Sequence, residues 1–197
     1  MSGERRQQIL EVLARELEAR PGARLTTATL AARLGVSEAA LYRHFPSKAK
    51  MFDALIDFAE DSVFGLITRI LDHEPDGLQR CAKICELVLV FAARNPGITR
   101  ILTGDILTGE HERLRGRVNQ FFERLETQLR SVLRDALLSD GCKPDRAEVN
   151  AAASLLVAAV AGRLAQFVRS AWRVPPQQAW DQQWPMLARG IFSQPAA

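Results

Sequence analysis

Cysteine is scarce in this 197-residue chain. There are three, an odd number, at Cys81, Cys85 and Cys142. That excludes a complete disulfide framework, and two cysteines four apart on one helical face read as small buried thiols rather than metal or redox groups. Strand signals are also missing. No segment rich in Val, Ile and Thr alternates with polar residues, and no Asn-Gly or Asp-Gly turn joins two apolar runs. The N-terminus, Met1 to Arg6, lacks the apolar stretch of a signal peptide. The most apolar segment, Ala151 to Gly162, is too short to span a bilayer and runs into Arg163. These absences predict a cytoplasmic chain with no membrane span.

Catalytic signatures are missing too. There is no Gly-rich phosphate loop and no Gly-x-Ser-x-Gly. His44, His73 and His111 are scattered, with no His or Cys at ligand spacing. Acidic residues alternate with arginine, as at Glu123, Arg124 and Glu126, in the manner of solvated helix faces. Neither an enzyme nor a cofactor or metal ion is expected.

What is present is ordinary globular composition, 47% hydrophobic and 25% charged, in a length suited to one domain or two small ones. Charge is unevenly placed. Residues 1–50 hold nine Lys/Arg and five Asp/Glu, a net of +4, whereas residues 51–197 hold 17 and 18, a net of −1. A basic head on a near-neutral body suits a DNA-binding module, although solubility alone also accounts for +4.

Apolar periodicity predicts an all-α fold of about nine helices: Glu4–Ala19, Thr27–Leu34, Ser37–His44, Ser47–Leu71, Leu78–Ala93, Ile98–Leu107, Glu110–Ser139, Asp145–Arg173 and Gln177–Phe192. Met51, Phe52, Leu55, Phe58, Ala59 and Ser62 form the inner side of the fourth. Pro46 sets a boundary, giving residues 1–46 as the DNA-binding domain and 47–197 as a helical domain for dimerisation and partner binding.

The string Leu30-Ala31-Ala32-Arg33-Leu34-Gly35-Val36-Ser37-Glu38-Ala39-Ala40-Leu41-Tyr42-Arg43-His44-Phe45 carries the functional signal. Ala31 is small where two helices cross. Gly35 suits a left-handed turn that a Cβ would penalise. Val36 and Leu41 plug the space between the helices, Ser37 caps the third helix, and Glu38 adds negative charge to its first turn. This is helix-turn-helix chemistry, with the third helix entering the major groove. Its outward residues are Ser37, Glu38, Ala39, Tyr42 and Arg43, followed by His44. Thr26 and Thr27 offer hydroxyls and backbone N–H groups to a phosphate, and Lys48 and Arg24 reach the flanking backbone.

These strings, Thr26-Thr27 and Leu41-Tyr42-Arg43-His44-Phe45 followed by Lys48, resemble the TetR family of dimeric helical regulators. That resemblance implies three N-terminal helices for DNA and a C-terminal bundle for dimerisation and effector response. A narrower resemblance, to the nucleoid occlusion branch, rests on four further strings: Arg94-Asn95-Pro96-Gly97, Thr99 to Gly104, Phe167-Val168-Arg169-Ser170 and Trp184-Pro185. It implies a homodimer on palindromic DNA that binds FtsZ and antagonises its assembly into polymer, with no small-molecule ligand required. It places the polymer contact on the fourth and fifth helices, at Phe58, Arg94 and Asn95. Leu66 stands where that branch carries a basic residue, with Arg69 about one turn on. Phe58 also fits a core position, and Arg94 to Gly97 also fits a plain helix stop. Phe167 to Ser170 fits dimer packing better than a binding site. The Ala-rich helix at Asn150–Phe167, with the Trp180/Trp184 helix, suits a four-helix interface across a twofold axis. The alternative is a ligand-responsive transcriptional repressor of the same family, which needs a roomy polar and aromatic pocket in the bundle.

Overall fold

The protein is described here from a computed structural model that covers residues 2–19, 25–107, 112–139 and 145–192. Arg24, His111 and Cys142 lie outside the described residues. Within them the chain is helical throughout, with no strand. Three helices form the head: α1 (Ser2–Ala19), α2 (Thr27–Leu34) and α3 (Glu38–His44). Six follow: α4 (Lys48–His73), α5 (Gly77–Arg94), α6 (Pro96–Leu102), α7 (Glu112–Ser139), α8 (Arg146–Arg169) and α9 (Trp180–Phe192).

Five of these helix starts are readable because short polar side chains cap them, whereas α6 begins at Pro96 rather than Ile98 and α9 at Trp180 rather than Gln177. Thr26, Ser37, Ser47, Asp76 and Asp145 each accept a backbone N–H from the first turn of the following helix. The ends were less readable. α4 continues to His73, because His73 Nδ1 pairs with the Arg69 carbonyl at 2.8 Å and the loop shortens to three residues. α8 stops at Arg169 rather than Arg173. Ala171 and Trp172 adopt left-handed φ of 49° and 69°, and their N–H groups return to Val168 and Phe167. That closure resembles a Schellman cap, yet it carries Ala where glycine is the usual signal.

One apolar cluster runs through head and body, from Ile9, Leu13 and Leu17 through Leu41, Phe45 and Phe52 to Val160 and Leu164. The bundle of α4, α5, α7 and α8 is filled by side chains such as Phe64, which meets Phe121 edge-on at 5.5 Å. Cys81 and Cys85 are buried here, and desolvation pushes Cys81 up to about 12 and Cys85 also upward. Phe58 does not join the inner side of α4. It is 46% exposed, because Asp53 and Ile56 turn inward instead.

Two long-range contacts help fix the head on the body. The first is the passage of α6 against α1. A Cβ at Gly97 would collide with the Ala14 carbonyl oxygen, with its carbon at 3.0 Å and Leu17 Cβ at 3.1 Å. The wholly buried Arg100 guanidinium donates to Asp105 at 2.6 Å and to the Leu17 carbonyl at 2.9 Å, which satisfies a charge that would otherwise be costly to bury. The second is Trp172, whose indole N–H donates to the Glu18 carbonyl at 3.1 Å while its ring packs 5.0 Å from Phe167. Phe167 is thus buried inside the protomer, while Arg169 in the same string is exposed.

The acidic residues are not all solvated. Asp53 is buried at the start of α4 and meets Lys50 at 3.1 Å, Arg113 at 3.0 Å and Arg117 at 3.6 Å. Arg117 also donates to Asp57 at 2.7 Å and Glu60 at 3.1 Å. The Asp57 hydrogen bond, reinforced by Glu60, raises the Arg117 pKa further and holds it cationic. This ladder ties the start of α7 to α4.

α8 is the one described helix long and apolar enough to cross a membrane by length and composition, longer than the Ala151–Gly162 stretch suggests. Its inner edge packs on α5 and α7. The opposite edge, with Ala151, Ser154, Leu155, Ala158 and Gly162, is exposed in the protomer.

Candidate nucleic-acid interface

The head is assembled around a left-handed turn. Gly35 has φ 65° and ψ 33°, its N–H donates to the Ala32 carbonyl at 3.2 Å, and the Val36 N–H donates to the Ala31 carbonyl at 3.0 Å. A residue with a Cβ would adopt this conformation at a cost, so glycine is favoured here. Ala31 is buried at the helix crossing, Leu41 is fully buried, and Val36 is half-buried between the two helices. Ser37 Oγ accepts from the Ala40 N–H at 3.2 Å, which sets the first turn of α3.

The outer side of α3 then presents Ser37, Glu38, Ala39, Tyr42 and Arg43, all exposed, with His44 half-buried at the end. A polar chain ties this surface to α2. The Tyr42 hydroxyl donates to Thr27 Oγ1 at 3.2 Å, and the Thr27 hydroxyl donates to Glu38 Oε2 at 2.6 Å. Each hydroxyl has one proton, so in this conformation both protons are engaged within the protein. Thr26, read as a phosphate-binding hydroxyl, is the α2 cap and accepts from the Thr29 N–H at 3.2 Å. Lys48, half-buried, donates to the Leu25 carbonyl at 3.0 Å and lies 5.5 Å from the Phe52 ring centre. It therefore sits beside the chain entering α2, on the same side as Thr26 and Thr27.

One residue of the head was missed by the sequence. Arg6 on α1 donates to the His44 carbonyl at 2.8 Å and stacks 4.3 Å from the Phe45 ring centre. It braces the C-terminal end of α3. The partners stand 38 positions apart, and no local spacing announces such a pair.

The partner residues fall in two places. Phe58 and Asn95, with Leu10, Ala14, Leu55 and Ile98, line a groove of about 150 Å³ where α1, α4 and α6 meet. Phe58 lies 6.4 Å from Phe91 across its rim. Asn95 Nδ2 donates to the Phe91 carbonyl at 2.8 Å, so its amide is partly engaged as a cap. Arg94 beside it is exposed. Leu66, 40% exposed, and Arg69 line a separate groove of about 350 Å³ with Ile70, His73, Lys83 and Leu87.

Residues 9–55 match the bacterial regulatory proteins of the tetR family, and residues 75–191 match the SlmA-like group of tetracyclin repressor-like C-terminal domains. Nucleoid occlusion factor SlmA of Marinomonas sp. (strain MWYL1) is 51% identical over 189 residues, covering 96% of this chain and 95% of that protein. SlmA of Shewanella pealeana is 52% identical, covering 95% of each. Among solved structures, the MbdR regulator from Azoarcus sp. CIB superposes with a TM-score of 0.75 at 16% identity, covering both chains fully. FadR from Bacillus subtilis, in complex with stearoyl-CoA, superposes with a TM-score of 0.72 at 15% identity, covering 93% of this chain and 98% of that one. At such low identity these two show a shared fold.

Proposed function

This chain belongs to the SlmA family of TetR-type regulatory proteins, and on that premise we propose that it is a nucleoid occlusion factor: a homodimer that holds palindromic DNA and, while bound, antagonises assembly of the division polymer FtsZ. The observation that carries the reading is the near-full-length identity of about half to SlmA proteins, joined to a head whose turn, cap and exposed third helix are built for a major groove. Ser37, Glu38, Ala39 and Arg43 face base edges. Thr26, Thr27, Tyr42, His44 and Lys48 position the duplex backbone, Thr27 through its backbone N–H at the start of α2, and Arg24 joins them.

The open edge of α8 supports a twofold pairing. Ala151, Ala158 and Gly162 let a second helix approach closely, and Leu155, 50% exposed, supplies apolar area. Protein symmetry then matches the symmetry of the DNA site. FtsZ docks on the groove beside α1 that carries Phe58 and Asn95 with Arg94 at its side, and on the second groove further along α4 at Leu66 and Arg69. Between α7 and α8 a cavity of about 540 Å³ is lined by Arg130, Arg134, Arg146, Val149 and Asn150, with no aromatic side chain among these residues, which disfavours the pocket that ligand control would need.

Sedimentation of FtsZ polymer, with the protein alone and with protein plus cognate duplex, tests this reading. Loss of pelleted polymer is expected only with the duplex. Polymer that pellets equally under both conditions refutes it.

A further inference from the structure

Glu38 is out of place by charge. A duplex presents a phosphate field that attracts cations, yet the first residue of α3 is an exposed carboxylate. Near a phosphate it is repelled. In a major groove it is useful only against a hydrogen-bond donor, since an ionised carboxylate accepts and never donates. The four bases differ in this respect. Guanine offers two acceptors, thymine an acceptor and a methyl, and adenine a donor beside its N7 acceptor; cytosine offers its N4 amino group alone.

The side chain is also held in place. Oε2 takes the Thr27 hydroxyl proton at 2.6 Å, and Thr27 is itself held by Tyr42 at 3.2 Å. Among the described residues no donor takes Oε1. A long flexible acid thus has one oxygen fixed to α2 and one left for another partner, which removes much of the ordering cost that a lone Glu pays on binding.

We propose that Glu38 is a specificity-determining residue: its carboxylate accepts from the N4 amino group of a cytosine in each half-site, with Thr27 as the positioning residue that presents it. The inference rests on the reading of α3 as the groove-entering helix. It adds the base and the geometry that selects it.

The test is enrichment of binding sites from a pool of randomised duplexes, using the full-length protein and three variants, with thermal melting of each. The wild-type protein enriches a palindrome with a cytosine at one symmetric position. Glu38→Gln keeps an acceptor for Thr27 but presents an amide, the side chain suited to adenine N6 and N7. It is expected to shift that position from cytosine to adenine. Glu38→Ala relaxes the position, with about a tenfold loss of discrimination there and little change elsewhere. Thr27→Val keeps the cytosine preference but weakens it several-fold. If Glu38→Gln and Glu38→Ala lower affinity evenly over all sequences while the enriched motif stays unchanged, Glu38 only braces α2 against α3 and the proposal is overturned. If the wild-type protein enriches no palindrome, the DNA-binding reading falls and takes this proposal with it.

Discussion

Replacing Gly97 with alanine tests the seam between head and body. In an exposed helical position, glycine to alanine stabilises by about 0.5–1 kcal/mol, because alanine loses less backbone freedom on folding. At Gly97 the new Cβ has nowhere to go. It meets the Ala14 carbonyl, with that carbon at 3.0 Å and Leu17 Cβ at 3.1 Å, and the obstacle is backbone in a packed helix. Relief requires α6 to move from α1, which disturbs the buried Arg100 link to Leu17. Overpacking of this kind costs about 1–3 kcal/mol. For a chain of this size each kcal/mol lowers the melting temperature by about 2–4 °C, so Gly97→Ala is expected to melt roughly 2–12 °C lower. Gly65→Ala and Gly116→Ala are the controls. Both lie inside long helices with nothing within 4 Å of an added Cβ, and both are expected to melt higher. Calorimetry at one fixed protein concentration measures all three, since self-association makes melting depend on concentration. A Gly97→Ala protein that melts with its controls, at or above the wild-type temperature, refutes the close approach of α1 and α6.

Tyr42→Phe removes the hydroxyl that reaches Thr27; DNA affinity by fluorescence anisotropy is expected to fall several-fold, matching a hydrogen bond of about 1 kcal/mol, and unchanged affinity counts against the residue. Arg94→Asp is expected to leave DNA affinity intact and abolish the effect on FtsZ sedimentation, whereas loss of both activities points to misfolding. Burial raises the thiol pKa of Cys81 and Cys85, so neither holds appreciable thiolate at pH 8. Peptide mapping after iodoacetamide is expected to find both unmodified in the folded protein and labelled in denaturant, and labelling under native conditions contradicts their burial.

The helices were legible from sequence because their starts are local events. A Thr, Ser or Asp and the three residues after it define a cap within one turn. Gly35 was legible for the same reason. What the sequence hid is long-range or sign-ambiguous. Arg6 and His44 meet across 38 residues. Asp53 reads as one more surface acid, and only the packing of α7 on α4 makes it the buried centre of an arginine ladder. Phe58 was assigned inward because period alone does not say where an apolar stripe ends. The early end of α8 escaped because Ala171 and Trp172 take a turn that sequence associates with glycine. In the head, the pattern on α3 shows which residues are exposed, but not the hydrogen bonds by which Glu38 and Tyr42 both meet Thr27 on α2.

The last turn of α1 has a consequence for the order of synthesis. α1 leaves the ribosome before the other described helices, yet its Leu17 carbonyl awaits Arg100, 83 residues later, and its Glu18 carbonyl awaits Trp172, 154 residues later. A nascent head can form its local turns early, since those contacts are short in sequence. It gains the Trp172 fastening only once that residue has been translated. An element made ahead of its partners is secured late, so a polypeptide not yet extended to Trp172 carries a head that is not fully locked to its body.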